Sequence, residues 1–314
     1  MPDSAHEGVG AALADAGLTV RAGASLGALT TYRVGGPAAW LVEAGDADEL
    51  ARLAAVTSSA GVDTLVVGKG SNLLVADAGF DGVAVVLGEG FADIAVDGDV
   101  VVAGGAASLP VVARRTVAAG LTGFEWAVGV PGSIGGAVRM NAGGHGSDMA
   151  ASVEEVRVID LGSGQDVRVS AGECAFGYRR SAITAGQVVV SATLRLAPGG
   201  VLAGERELSE IVAWRRRHQP GGPNAGSVFT NPQGDSAGRL IDVAGCKGAR
   251  VGTASVSTKH ANFIQADAGG AADDIVALMT LVRERVLESS GVSLHAETRL
   301  VGFAPDVAAA AGVS

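Results

Sequence analysis

AAWLVEAGDADELARLAAVTSSAGVDTLVVG, residues 38–68, holds two apolar runs, 38–44 and 62–68, on either side of a helix-period segment. Asp46 and Glu49 stand in capping-box spacing at the start of that segment and Gly61 stops it, so the stretch reads as a β-α-β unit. Beyond it, VVLGEGFADIAVDGDVVVAGG (85–105) breaks into short apolar runs separated by Gly and Asp-Gly turn signals, as small antiparallel strands require. Ser108 then caps a helix with Pro110 in its first turn and Gly120 at its end. Alternating segments return at 153–159 and 187–196, and APGG at 197–200 marks a boundary. From Glu207 helical patterns dominate (ELSEIVAWRRR, SAGRLIDVAG, DDIVALMTLVRERVLES), with strands around HANFIQA and LHAETRLVGF. The fold class is α+β, with a separate C-terminal α+β domain.

The 314 residues exceed one small core and suit two or three domains. Apolar residues make up 48% and mean hydropathy is +0.34, yet no apolar run approaches the ~20 residues of a membrane span. The segment MPDSAHEGVG carries no basic region ahead of an apolar stretch and does not read as a secretory signal, so a soluble, cytoplasmic protein is expected. Net charge −10 argues against general nucleic-acid binding and leaves room for a local basic pocket. Cys174 and Cys246 are far apart, with no Cys-x-x-Cys and no histidine cluster, and read as free thiols with no metal site.

Two glycine-rich loops carry the candidate chemistry. VGKGSNLL (67–74) lacks the third glycine of the dinucleotide fingerprint, because Leu73 stands there. It offers consecutive backbone N–H groups with Ser71 and Asn72, and no side chain at Gly68 or Gly70 to keep an anion away; read by itself it is first a tight turn, since Gly-Ser-Asn is common turn chemistry. GVPGSIGGAVRMNAGGHG (129–146) sets Gly132, Gly135 and Gly136 around Ser133, then Asn141, Ala142 and Gly143. That run could lie against a flat ring system and its phosphates, or be a close crossing of backbones.

These loops stand in order with TTYRVGG (30–36), FGYRRS (176–181), NAGSVFTNP (224–232), AGRLID (237–242), GCKG (245–248), VSTKHANFI (256–264) and LHAETRLVG (294–302). Over roughly residues 24–303 the chain resembles the UDP-N-acetylenolpyruvoylglucosamine reductases, also called UDP-N-acetylmuramate dehydrogenases. The resemblance implies an FAD-binding fold of the p-cresol methylhydroxylase/vanillyl-alcohol oxidase type. Its expected parts are an N-terminal extension (1–23), two FAD-binding subdomains (24–90 and 91–200), a substrate-binding domain (201–304) and a flexible tail (305–314). It implies non-covalent FAD, with NADPH as co-substrate and reduction of a UDP-sugar enolpyruvyl ether to UDP-N-acetylmuramate, a step of peptidoglycan precursor synthesis. FAD would lie on Gly68, Gly70, Ser71, Asn72 and Leu73 of the first loop. On the second it would lie on Gly129, Pro131, Gly132, Ser133, Gly135, Gly136, Asn141, Ala142 and Gly143. A monomer without nucleic-acid or membrane partners is expected.

Three catalytic roles carry over by position. Arg179, of the Tyr-Arg motif, would grip the substrate carboxylate with its guanidinium fork. Ser227 would protonate the substrate carbon after hydride arrives, and Glu297 would order the proton network. Read without the motifs, Arg179 is a surface arginine at a strand end, Ser227 a loop serine, and Glu297 the polar face of a strand in which His295, Glu297 and Arg299 alternate with Leu294, Ala296, Thr298 and Leu300. Tyr178, Asn231 and His260 lie in matching motifs and read equally as substrate contacts or as a packed tyrosine, a turn asparagine and a half-exposed histidine. The WRRRH cluster, Trp214–His218, is a diphosphate-binding candidate or the basic end of a helix. Arg180 and Thr230 depart from the residues many relatives carry there, and the short spacing from Ser181 to Val188 marks the type without an extra tyrosine-bearing loop. The competing readings are an oxidase on the same flavin fold and a flavin-binding protein without turnover.

Overall fold

The computed structural model describes residues 8–313. The absence of a secretory signal was read in part from residues 1–7, which lie outside the described residues. Contacts divide the described residues into two units, each discontinuous in sequence: those up to 22, 39–69 and 82–215 form the first, and 23–38, 70–81 and those from 216 onward the second.

The first unit holds two apolar cores. A four-stranded sheet runs in the order β1 (Val20–Ala22), β2 (Ala38–Ala44), β5 (Phe80–Leu87), β3 (Thr64–Val67). The expected β-α-β unit is β2, α2 (Ala47–Ala60) and β3, with β5 inserted between the two strands and parallel to β3. The start of α2 is built as its sequence spacing predicts: the Asp46 carboxylate accepts the Glu49 N–H at 2.8 Å, and the Glu49 carboxylate accepts the Gly45 N–H at 2.7 Å. Gly61 ends the helix in the left-handed region at φ +62°, where glycine carries no Cβ penalty. Leu50, Leu53 and Ala54 of α2 bury against Val42, Val83 and Val85, together with Val9 and Leu13 of α1 (Val9–Asp15). The expected N-terminal extension is therefore tied into this core from Val9 onward.

The second core of this unit lies on a five-stranded antiparallel sheet, β12 (Asp166–Ser170), β11 (Val153–Asp160), β13 (Gln187–Arg195), β7 (Val100–Gly104), β6 (Ile94–Asp97). Strand β13 supplies both cores: Val188 and Val190 face the first and Val189, Ala192 and Leu194 the second. Burial on both sides explains its continuous apolar run. A register shift beside Val190 lets Ala192 and Leu194 share a face with Val189. Helices α3 (Leu109–Ala118) and α4 (Ile134–Met140) cover the second core, and Leu208 and Ile211 of α5 (Val201–His218) close it. The first unit thus extends through Arg215, beyond the turn at 197–200 where the sequence sets the boundary.

The second unit packs α6 (Ala237–Val243) and α7 (Ala272–Ser290) with a three-stranded sheet, β15 (Arg250–Val251), β16 (Ala254–Val256), β17 (Ile264–Ala266). In the same unit β4 (Leu73–Val75) runs parallel to β18 (Arg299–Val301). Residues 305–310 differ from the expected flexible tail: they form helix α8 (Pro305–Ala310), and Ala311 is fully buried. Arg283 of α7 fastens it by donating to the carbonyls of Ala309 and Ala310 and, at 2.8 Å, to that of Leu294. Small apolar residues read as tail chemistry in sequence, but here their carbonyls hold the segment to α7.

Candidate active site

Several glycines of the two loops answer to the chain itself. A Cβ on Gly135 would stand 3.1 Å from the Val189 carbonyl and 3.2 Å from that of Gly105, because α4 lies close on β13. On Gly129 it would meet Ile211 at 2.9 Å, and on Gly143 the Ser147 carbonyl at 2.5 Å, across the hairpin of β9 (Gly143–Gly144) and β10 (Ser147–Asp148). Gly70, at φ +58°, would drive a Cβ into the Leu29 carbonyl. For these four the close backbone crossing is the physical reason for glycine.

Gly68 and Gly136 are different. A Cβ on Gly68 would meet the Ser133 hydroxyl at 2.8 Å, so the two loops touch there, and one on Gly136 would find only that hydroxyl, at 3.9 Å. Ile134 and Gly135, opening α4, donate to Ala107 and Gly105, and Ala137 donates to Ser133. Among the described residues the N–H groups of Gly68, Gly132, Ser133 and Gly136 find no protein acceptor. Gly68, Gly132 and Gly136 carry no Cβ to shield their amides, and a group of N–H donors without protein acceptors fits the pyrophosphate of a dinucleotide cofactor. The donor set therefore fits FAD.

The side-chain amides of Asn141 and Asn72 have partners inside the protein. Asn141 is 3% exposed and caps α4 at φ +39°. Its Nδ2 donates at 3.0 Å to the Asp148 carboxylate and at 3.0 Å to the Gly177 carbonyl, and its Oδ1 accepts the Ala150 N–H at 3.0 Å. Both amide hydrogens are spent inside the protein. Tyr178 and Arg179 form the tip of the turn that Gly177 begins, closed by reciprocal backbone bonds between Gly177 and Arg180 at 3.0 and 3.2 Å. Arg179 sits at φ +56°, its Nη2 donates to the Gly143 carbonyl at 3.1 Å, and its Cζ lies 5.2 Å from the Tyr178 ring centre. Tyr178 itself is exposed.

In the second unit the chain brings Ser227 beside Glu297. Phe229 bridges Ala296, and Thr230 N–H donates to the His295 carbonyl at 2.9 Å. The N–H groups of Glu297 and Thr298 then converge on one acceptor, the Val228 carbonyl, at 2.8 and 3.3 Å. Two residues opposing one is a β-bulge, a device that re-aims a side chain and breaks strand alternation. This is the correction to the polar-face reading of 294–300: regular strand begins only at Arg299. Asn72 clamps the bulge, with Nδ2 donating to the Glu297 carbonyl at 2.9 Å and its own carbonyl accepting the Arg299 N–H at 3.0 Å. Asn262, which the sequence reading passed over, fixes the opposite strand. Its Oδ1 accepts the Phe229 N–H at 3.0 Å and its Nδ2 donates to the Phe229 carbonyl at 2.8 Å. The signal available for it was an asparagine between apolar neighbours in HANFIQA, where a buried amide must find partners.

The remaining candidates also have neighbours within the protein. Asn231 accepts the Ala237 N–H at 3.0 Å at the start of α6, and the His260 ring packs edge-on to Phe263 at 4.7 Å. Burial pushes the His260 pKa down. The WRRRH cluster ends α5; His218 is exposed there, and Trp214 stacks edge-on with His145 at 5.1 Å. Burial lowers the Arg215 pKa, and burial with the nearby Arg215 charge lowers that of His145. Cys174 and Cys246 are free and buried, which raises both thiols. Among the described residues no cluster of His, Cys, Asp and Glu could hold a metal ion, and no helix is long and apolar enough to cross a membrane.

Residues 38–170 match the family model of an FAD binding domain, and residues 218–301 that of the UDP-N-acetylenolpyruvoylglucosamine reductase C-terminal domain. The chain is 44% identical over 278 residues to UDP-N-acetylenolpyruvoylglucosamine reductase 2 of Symbiobacterium thermophilum, covering 88% of this chain and 90% of that one. It is 45% identical over 276 residues to the reductase of Heliobacterium modesticaldum, covering 87% and 88%. The solved reductase of Thermus caldophilus superposes with a TM-score of 0.79 at 34% identity, over 90% of this chain and 99% of that one. With likeness running through both units and nearly the whole length of each relative, this chain belongs to the UDP-N-acetylenolpyruvoylglucosamine reductase family.

Proposed function

We propose that the protein uses NADPH and FAD to reduce the enolpyruvyl ether of UDP-N-acetylglucosamine enolpyruvate to UDP-N-acetylmuramate, in peptidoglycan precursor synthesis. The observation that carries this reading is full-length kinship with the reductases, joined to open amides at Gly68, Gly132, Ser133 and Gly136 that fit the cofactor. Bound FAD would carry a hydride from NADPH to the terminal alkene carbon. The work left to the chain is electrostatic and protic. Negative charge builds on the carbon beside the substrate carboxylate. The Arg179 guanidinium grips that carboxylate and holds the charge, for which a planar fork is suited and an ammonium is not. The Ser227 hydroxyl gives its proton to the carbon, so one hydride and one proton saturate the double bond. Glu297 orders the network through which the serine regains a proton from solvent.

The bonding of the Glu297 and Thr298 amides to Val228, the residue after Ser227, supports assigning Ser227 and Glu297 one task. Tyr178, His218, Asn231 and His260 complete the proposed substrate contacts, Asn231 and His260 through what they hold in place. The protein acts as a cytoplasmic monomer on a nucleotide sugar, with neither nucleic acid nor membrane as partner; its net charge of −10 supports the absence of nucleic acid. The test is NADPH oxidation by the purified yellow protein with and without the enolpyruvyl sugar. Oxidation that depends on the sugar is expected. Oxidation that proceeds without it and consumes oxygen would make the protein an oxidase.

A further inference from the structure

The turn that carries Arg179 is a poor platform by itself. It is two residues wide, its tip is exposed at Tyr178, and Arg179 occupies the left-handed region that a non-glycine residue avoids. Something outside the turn must hold it. Asn141 binds its first carbonyl, that of Gly177, at 3.0 Å. On the far side the Ser181 hydroxyl donates to the Arg139 carbonyl at 2.9 Å, so both flanks hang from the last turn of α4. The second Asn141 hydrogen goes to Asp148 at 3.0 Å, across the hairpin whose Gly143 carbonyl receives the Arg179 guanidinium at 3.1 Å. A single buried amide therefore joins the turn's backbone to the hairpin that holds its side chain.

We propose that Asn141, oriented by Asp148, is the positioning residue for Arg179: it sets where the guanidinium stands, and its side chain is not a cofactor ligand. The inference rests on the role given to Arg179 above. A guanidinium whose turn is tied to its support through one buried amide loses its aim when that amide goes, and misplacement of about 1 Å at a reacting group costs up to about 10²-fold in rate.

The experiment is stopped-flow absorbance of the flavin in the holoenzyme, first with NADPH and then with the enolpyruvyl sugar. It is combined with calorimetric binding of the sugar to the oxidised protein. In Asn141→Ala the reoxidation step is expected to slow by about 10- to 100-fold. Sugar binding weakens, while FAD occupancy and reduction by NADPH fall far less. The double variant with Arg179→Lys should reoxidise no more slowly than Arg179→Lys alone, because the amide acts through the arginine. Multiplying losses, or loss of FAD from Asn141→Ala, overturns the inference. If Asn141→Ala does not fold, Asp148→Ala and Asp148→Asn decide. Slowed reoxidation in the first, restored in the second where an amide oxygen can still accept, supports it; normal reoxidation in Asp148→Ala overturns it. Normal reoxidation in Arg179→Lys itself removes the functional reading and this inference together. An impaired Arg179→Lys beside a normal Asn141→Ala removes this inference alone.

Discussion

The entry to α4 and the strand pair at Ser227 and Glu297 treat their backbone in opposite ways. Around Gly68 and Gly132–Gly136, four N–H groups have no protein acceptor among the described residues. Around the second site the N–H groups of residues 228–230 and 296–299 are taken: Val228 by the Asn262 carbonyl, Phe229 by its side chain, Thr230 by His295, Ala296 by Gly312, Glu297 and Thr298 by Val228, and Arg299 by Asn72. Backbone polar groups are nearly always paired in folded proteins, so the unpaired set is the informative one. Open amides make a surface that binds through its backbone; closed ones make a rigid mount from which side chains act.

The comparison breaks most visibly at Ser227. In Ser227→Ala, NADPH should reduce the flavin at close to the normal rate, since that step takes no proton from this hydroxyl, while reoxidation by the sugar slows by about 10²–10⁴-fold. Reoxidation at the normal rate would make Ser227 a loop residue, and failure already at reduction would mean that the change disturbed the flavin site. Arg179→Lys should slow the same step, with reduction by NADPH kept, because the charge stays and the fork is lost.

At the open loop, Gly135→Val and Gly136→Val separate folding from binding. The first collides with the Val189 and Gly105 carbonyls and should fail to fold, whereas the second has room within the protein. Gly136→Val is expected to leave apoprotein stability within about 1 kcal/mol of the parent and to lower FAD occupancy, read from the flavin-to-protein absorbance ratio. Full occupancy would move the cofactor away from the start of α4.

At the closed site, Asn262→Ala leaves the Phe229 N–H and carbonyl buried without their partners. Each such group costs about 1–3 kcal/mol, so the unfolding free energy from denaturant melts should fall by that order, lowering the midpoint, while FAD occupancy of the folded fraction is kept. An unchanged midpoint would show that the pair is not holding the strand.

The smallest effect concerns His260. Burial puts its folded pKa below the unfolded value, so between the two the unfolded chain binds the extra proton. Stability is then full above about pH 6.5 and declines as pH falls toward the folded pKa. His145, also depressed, adds a part of the same sign. Melting curves of His260→Gln should show a shallower decline over that window, and an unaltered slope would assign the decline to other groups.

Local chemistry made much of the fold legible. Asp46, Glu49 and Gly61 bound α2 because capping and left-handed termination depend on residues within one turn. The alternating and continuous apolar runs located β11 and β13. The bulge at Glu297 was not legible, since it depends on two amides sharing the carbonyl of Val228, 69 residues earlier. Nor was the seating of α8, whose small residues resemble a tail until Arg283 is seen to gather their carbonyls.

The two asparagines draw the line most clearly. Sequence alone placed Asn72 and Asn141 in glycine-rich loops, and the roles proposed for Arg179, Ser227 and Glu297 rest on its resemblance to the reductases. An amide, though, offers donors without saying to whom. Only the tertiary structure decided that Asn72 donates to the Glu297 carbonyl and Asn141 to Asp148 and Gly177, because a hydrogen bond is satisfied by whichever acceptor the fold brings within reach, whether seven residues away, as Asp148 is, or 225, as Glu297 is.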